Sequence, residues 1–369
     1  MSKVDLRSLN KEELTSFITS LGQPAFRAGQ LYRQIQKNAA DDFNAMSDLP
    51  AELRARLDEQ ATVALPRIIR RQDSAAGDTI KLLLELTDGE RIEMVLMFYE
   101  RWQAHNRVTC CVSSQSGCAM NCRFCATALH ARFRNLSAGE IVAQVQIADR
   151  LAYDLGFSGI TNIVYMGMGE PLANLAAVKQ SVELLNSAEG MNIGMRRITI
   201  STCGLAPQIR EMSHWGYQLG LAVSLHAADD TLRRRLMPGA AHYPLCELMA
   251  ACREYRELSG RRLTVEYALF DGINDTPEDA AKLAALLTGT DILVNIIPAN
   301  PLPEARIKPP PSSVVEAFCQ KLSELNVAVQ LRHKRGADIE AACGQLRKRT
   351  AEGEPEFRRE QAGTPGREA

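Results

Sequence analysis

Apolar and polar positions along this chain follow two different periods. Over residues 1 to about 60 the spacing is helical. Asn10 stands before Lys11, Glu12 and Glu13, which is an N-cap followed by an acidic first turn. Pro24 opens a second helical stretch with apolar positions at Phe26, Leu31 and Ile35, and a third spans roughly residues 47–60. The pattern then becomes that of short strands at 68–71, 79–86 and 91–98, with Asp88-Gly89 as a hairpin turn. Together these pieces predict a small N-terminal α+β accessory domain covering residues 1–100.

From about residue 107 the chain alternates strand and helix. Strands are predicted at 107–112, 159–166, 197–201, 220–225, 263–269, 292–297 and 327–331. The best-marked helix start is Ser137 with Glu140, a capping box feeding Ile141, Val145 and Ala148. Such alternation implies an α/β domain, here residues 104–347, built on a parallel sheet that is either open or curled into a barrel. Active sites of such folds lie at the carboxyl ends of the strands. Several strand ends here carry Gly-rich or polar elements: Gly167 to Pro171, Thr202 to Gly204, Ser224 to His226, and Pro298 to Pro301. Residues 350–369 are polar and rich in Gly and Pro, which predicts a disordered tail.

The loop after the first of these strands carries Cys118, Cys122 and Cys125, a C-x3-C-x2-C spacing. Three close thiolates suit a cubane iron–sulfur cluster whose fourth iron is left open for a ligand, since such clusters otherwise take four thiolates. Phe124 would shield that cluster from water. A structural zinc site would need a fourth ligand, for which Cys110 or Cys111 is available. Free cysteines also pack as small apolar residues, but three in a short polar run are unlike a core segment.

Composition adds limits. With 46% hydrophobic and 24% charged residues the chain has the make-up of an ordinary globular protein, large enough for one large and one smaller domain. No apolar run approaches a membrane span, and the first residues lack a signal-type apolar stretch, so a cytoplasmic protein without a membrane partner is expected. Ten cysteines in a reducing compartment favour metal or redox chemistry over a disulfide framework. The net charge of −1 does not by itself suggest nucleic acid. Basic residues nevertheless cluster at Arg196-Arg197, Arg233 to Arg235, Arg261-Arg262, Arg332 with Lys334-Arg335, and Arg347 to Arg349. Gathered on one rim they would form a phosphate-binding face; dispersed, they would be solvated patches.

The cysteine trio, Gly167 to Pro171, Ser201 to Gly204, Ser224 to His226, and Asp338 to Leu346 with its Ala342-Cys343-Gly344 centre occur in that order. Over about residues 10–347 the chain resembles the radical S-adenosylmethionine (SAM) RNA methyltransferases of the RlmN/Cfr family. The segment around Cys343 is the most specific part of that likeness. The resemblance implies a partial (β/α)6 barrel. It implies a 4Fe–4S cluster on Cys118, Cys122 and Cys125, with SAM on the open iron and contacted by Gly169, Glu170, Ser201, Ser224, Leu225, His226 and Asn300.

It further implies methylation of an adenine ring carbon using two SAM per turnover. Cys343 would take a methyl group, lose a hydrogen to a 5′-deoxyadenosyl radical, and add its methylene radical to the base. Glu93 matches the proton acceptor, and Cys111 the second thiol that releases the product as a disulfide forms. Cys110 adjoins Cys111 and leaves the choice between them open, although the register favours Cys111. Cys203 departs from the family turn, where a Ser or small apolar residue is more usual. Cys246, Cys252 and Cys319 fall in helical patterns and read as packing residues. Pro171 and Pro298 point to the branch that methylates C2 over the branch that methylates C8. The expected substrate is 23S rRNA in the peptidyl-transferase region, with the tRNA adenosine 3′ of the anticodon as a further one. A flavodoxin or ferredoxin system would supply electrons.

Overall fold

The computed structural model describes residues 3–99, 107–129, 133–301, 307–332 and 335–346. Two short strands, β1 (Val4–Asp5) and β2 (Ala61–Thr62), pair in parallel and close a helical unit. Between them lie α1 (Lys11–Ser20), α2 (Phe26–Gln36) and α3 (Ala51–Gln60). The cap expected at Asn10 is present: its Oδ1 accepts the Glu13 N–H at 2.9 Å while Glu13 Oε2 accepts the Asn10 N–H at 2.8 Å. The third helix starts later than its sequence pattern suggests. Pro50 is its N-cap, and a residue before proline is steered away from helical geometry, so the preceding residues form turns.

Three strands follow: β3 (Arg67–Asp73), β4 (Thr79–Glu85) and β5 (Arg91–Tyr99). The alternating region contributes β6 (Arg107–Cys111), α4 (Ala138–Asp154), β7 (Asn162–Tyr165), α5 (Leu175–Asn186), β8 (Ile198–Thr202), α6 (Ala206–Ser213) and β9 (Gly220–Ser224). It continues through α7 (Asp230–Leu236), α8 (Leu245–Ser259), β10 (Leu263–Leu269), α9 (Pro277–Leu286), β11 (Ile292–Pro298), α10 (Ser312–Glu324) and β12 (Ala328–Leu331). The predicted 137–140 capping box starts α4, with the Glu140 N–H on Ser137 Oγ at 3.1 Å.

All strands from β3 to β12 form one ten-stranded sheet in the order β12-β11-β10-β9-β8-β7-β6-β5-β4-β3. From β6 to β12 the pairing is parallel; from β3 to β6 it is antiparallel. Strands β5 and β6, which flank residue 100 in the chain, are therefore neighbours in one sheet. Val95 pairs with Cys111, and most of β4 and β5 is buried, so these strands need neighbours that a free-standing hairpin would not supply. The six parallel strands β6 to β11 are extended by β12, a seventh that is short and largely exposed.

The helical unit docks through Arg7, which is 1% exposed. Its guanidinium bonds the carbonyls of Ala40 at 2.9 Å and Val63 at 2.5 Å, that of Ile35 at 3.3 Å, and Gln146 on α4. Burial lowers its pKa to about 10, which still leaves it charged at neutral pH. Among the described residues no helix is long and apolar enough to cross a membrane.

Candidate active site at the carboxyl ends of the strands

The ends of β7 to β12 and the cysteine loop surround one open cleft. The loop leaves β6 and folds back over the end of β7. Ser113 Oγ donates to Glu93 O at 2.6 Å and accepts the Met168 N–H at 2.8 Å; the Ser114 and Gln115 N–H groups both reach Met168 O. This close approach explains the Gly167-Met168-Gly169 run. A Cβ on Gly167 would lie 2.6 Å from Val112 O, and one on Gly169, whose φ is +102°, would lie 2.6 Å from Gln115 Cβ.

Of the sequence-predicted residues, Cys118, Cys122, Cys125, Gly169, Glu170, Ser201, Ser224, His226, Asn300 and Cys343 line the cleft. The three loop thiols are partly buried and unpaired. Burial raises all three, Cys118 to about 12; Cys125 adds to the rise of Cys118 and Cys122, while hydrogen bonding to Thr127 opposes that of Cys125. Metal binding at these sulfurs would therefore have to displace protons. Among the described residues no three His, Cys, Asp or Glu side chains converge as a single-ion site. The sulfurs instead line the cavity wall. Phe124 packs edge-on against His226 at 4.7 Å and against Phe270 at 5.2 Å, beside the trio as expected.

Glu170 is 4% exposed. Its Oε2 accepts the Cys203 N–H at 2.7 Å and its Oε1 the Leu172 N–H at 3.0 Å, while its own N–H donates to Gln115 Oε1 at 2.8 Å. Burial pushes its pKa up against these hydrogen bonds. A carboxylate held in this way could receive an ammonium group. Cys203 thus serves the turn through its backbone. His226 sits at φ +56°, and its Nδ1 accepts the Ala268 N–H at 2.9 Å. Burial lowers its pKa to about 3, so the ring is neutral, with its proton on Nε2. Asn300 Nδ2 donates to Cys343 O at 2.9 Å, whereas its Oδ1 is buried with no hydrogen-bond partner among the described residues. Leu225 is placed differently: it is fully buried in the main core and does not line the cleft.

Strand alternation separates Cys110 from Cys111. Cys110 is wholly buried towards the helix layer, where Asp149 of α4 acts on it. Cys111 faces the sheet interior. Burial raises its thiol to about 12, and the Cys343 thiol adds to that rise while Arg332 opposes it. Cys343 is exposed at the cleft, and neither thiol is in a disulfide. Glu93, paired diagonally from Cys111 across the β5–β6 ladder, lies on the same face, buried, with its carboxylate 3.2 Å from Lys81 Nζ.

Several positions escaped the sequence reading. Arg332 lines the cleft and pairs with Glu266 at 3.2 Å, while Asn295 holds the other Glu266 oxygen at 2.9 Å. Arg233 is fully buried and donates to the carbonyl of Cys203 at 2.7 Å, so it cannot join a phosphate-binding face; Arg234 and Arg235 remain exposed. Arg335 binds Asp78 and stacks on Tyr99. Lys334, Arg347 to Arg349 and the predicted tail lie outside the described residues. Cys252 is buried and Cys319 half-buried, but Cys246 is exposed on α8 and is not a packing residue. Burial of a basic residue by elements remote in sequence leaves no local signal.

Comparisons with known proteins agree with this geometry. The model of the radical SAM superfamily matches residues 112–284, and that of the ribosomal RNA large subunit methyltransferase N-terminal domain matches residues 4–63. A protein of Moorella thermoacetica called "Probable dual-specificity RNA methyltransferase RlmN" is 45% identical over 94% of this chain and 98% of its own length. One of the same name from Heliobacterium modesticaldum is 44% identical over 95% of this chain and 91% of its own. The crystal structure of a radical SAM methyltransferase from Sphaerobacter thermophilus superposes with a TM-score of 0.89 at 44% identity, covering 94% of this chain and all of that one. With relatives this similar over nearly its whole length, and the cysteine loop, the Glu170 turn and Cys343 gathered at one cleft, the chain belongs to the RlmN-type radical SAM RNA methyltransferases.

Proposed function

We propose that this chain methylates C2 of an adenosine in the peptidyl-transferase region of 23S rRNA, and the adenosine 3′ of the anticodon in tRNA, through a methylated Cys343. The observation that carries the proposal is that Cys343 lines the cleft with the three loop thiols and is near enough to act on the buried thiol of Cys111. A disulfide between them requires Cα atoms within about 7 Å. The relatives' printed name, a dual-specificity RNA methyltransferase, supports RNA of two kinds as substrate.

Enzymes of this superfamily carry a 4Fe–4S cluster on three cysteines, together with SAM. The residues present fit both groups: three thiols on one wall, a buried carboxylate at Glu170 and, among the described residues, an orphaned acceptor at Asn300 Oδ1. When bound, they supply a methyl group and a hydrogen-abstracting 5′-deoxyadenosyl radical. Cys118, Cys122 and Cys125 would hold the cluster. Glu170 would bind the ammonium of SAM, while Ser201, Ser224 and His226 would take its ribose and adenine, with Leu225 contributing through its backbone.

Cys343 accepts a methyl on sulfur and later presents the derived methylene to adenine C2. Glu93 accepts the C2 proton, and the unpaired electron left on the adduct would pass back to the cluster, leaving a closed-shell thioether. Cys111 then attacks the Cys343 sulfur: the S–S bond forms, the S–CH2 bond breaks with its electron pair on carbon, and that carbon takes a proton to become the product methyl. A bulky base must leave its stack to reach this sulfur. Residues 4–63 would contact the RNA backbone. A flavodoxin or ferredoxin system in the cytoplasm would return the electrons.

The test is mass spectrometry of anaerobically purified protein, with Cys343→Ala as control, followed by nucleoside analysis of treated rRNA and tRNA. A methyl on Cys343 together with 2-methyladenosine is expected. An unmodified thiol in cluster-loaded protein given SAM would sink the proposal, and 8-methyladenosine would overturn its C2 assignment.

A further inference from the structure

Lys81 is a cation where the fold has little use for one. It lies on β4 between Ile80 and Leu82, is 4% exposed, and faces the sheet interior on the side of Val95 and Cys111. An ammonium removed from water is costly unless paired and hydrogen-bonded, so a position with only a packing role would be filled by an apolar side chain. Two contacts compensate it. Lys81 Nζ is 3.2 Å from Glu93 Oε1 and 3.3 Å from the carbonyl of Glu340, three residues before Cys343. The backbone of Glu93 is held as well: its carbonyl accepts Ser113 Oγ at 2.6 Å and its N–H meets Met168 Sδ at 3.3 Å, so strand and cysteine loop move as one. The segment after β12 is pinned nearby, with the Ala75 N–H on Asp338 Oδ2 at 2.8 Å and Arg335 on Asp78.

We infer that Lys81 is a positioning residue for the reaction. Its ion pair holds the buried Glu93 carboxylate and aims it at the substrate carbon, and its bond to Glu340 sets the Cys343 segment in register with that carboxylate. The inference rests on the role proposed above for Glu93. The step it serves is a proton transfer from the radical adduct: the C2–H bond breaks, the proton ends on a Glu93 oxygen, and the unpaired electron left on the ring would pass to the cluster. A buried carboxylate deprived of its cation takes up a proton and can no longer accept another. The structure thus joins the base and the methyl carrier through one side chain from a strand that carries neither.

The experiment compares Lys81→Met, Lys81→Arg, Glu93→Gln and the Lys81→Met/Glu93→Gln pair in anaerobically purified, cluster-loaded full-length protein. Three quantities are read: the methyl on Cys343, the yield of 2-methyladenosine, and RNA left covalently bound to protein on a denaturing gel. Lys81→Met should keep Cys343 methylation within about twofold and lose about 100-fold in product, the lower end for loss of a general base. Protein-bound RNA should accumulate as it does with Glu93→Gln. Lys81→Arg, which restores charge but not length, should recover part of the product, and the double variant should be no worse than Glu93→Gln alone. If Lys81→Met and Lys81→Arg lose Cys343 methylation together with product, or if Lys81→Met makes product normally while Glu93→Gln stalls, the Lys81 inference fails and the role of Glu93 stands. A Glu93→Gln variant with normal yield removes the base role itself, and the inference with it.

Discussion

Gly169→Ala isolates the close contact on which the site is built. The residue has φ +102°, a region that side chains avoid at a cost of about 1–3 kcal/mol. Its new methyl would sit 2.6 Å from Gln115 Cβ and 2.8 Å from the Gln115 N. Carbon atoms rest at about 3.5–4.0 Å, so loop or strand end must yield by about 1 Å. Overpacking of this kind costs a further 1–3 kcal/mol or so. A loss of about 2–6 kcal/mol is therefore expected, a large part of the ordinary 5–15 kcal/mol of a folded domain. Because the displaced Gln115 also receives the Glu170 N–H, the carboxylate should lose its aim. Gly194→Ala is the control: its φ is −61° and nothing lies within 4 Å of the added methyl. Urea denaturation followed by circular dichroism, with SAM affinity measured on the folded fraction, reads both effects. Equal midpoints for the two variants would refute the claim that this contact holds the loop.

Acid should weaken the protein through His226. Its pKa is 6.5 when free and about 3 when buried, so below pH 6.5 the unfolded chain binds a proton that the folded one refuses. Stability then falls as the pH drops from about 6.5 towards 3. His226→Gln should flatten that part of a urea-midpoint-against-pH curve, and parallel curves would dismiss the account. The adjacent thiols should separate cleanly. Cys110→Ala should cost about 1 kcal/mol of stability and keep multiple turnovers. Cys111→Ala should methylate Cys343 yet leave RNA attached to it, and the reverse outcome would transfer the resolving role to Cys110.

Much of the fold is local physics and can be read from the chain. The caps at Asn10 and Ser137 close over three residues, within reach of any four-residue window. Strand–helix alternation announces the parallel sheet, and the parallel topology sends Glu170, Ser201, Ser224 and the cysteine loop to one end of it. What the chain cannot announce is which face of a strand turns inward. Alternation separates Cys110 from Cys111, but only the helices packed on one side decide that Cys110 turns towards them and Cys111 towards the opposite face. The same holds for Arg332 and Arg233, which look like surface charge in a basic run and are drawn inward by Glu266 and by the Cys203 carbonyl. Lys81 lies 259 positions from the carbonyl it holds. Nor does a change of period end the sheet: β3 to β5 join it because the buried edge of β5 needs hydrogen-bond partners, and β6 supplies them. Caps, turns and periods belong to the sequence because their partners are near neighbours. Burial, pairing and the facing of thiols belong to the tertiary structure because their partners come from anywhere in the chain.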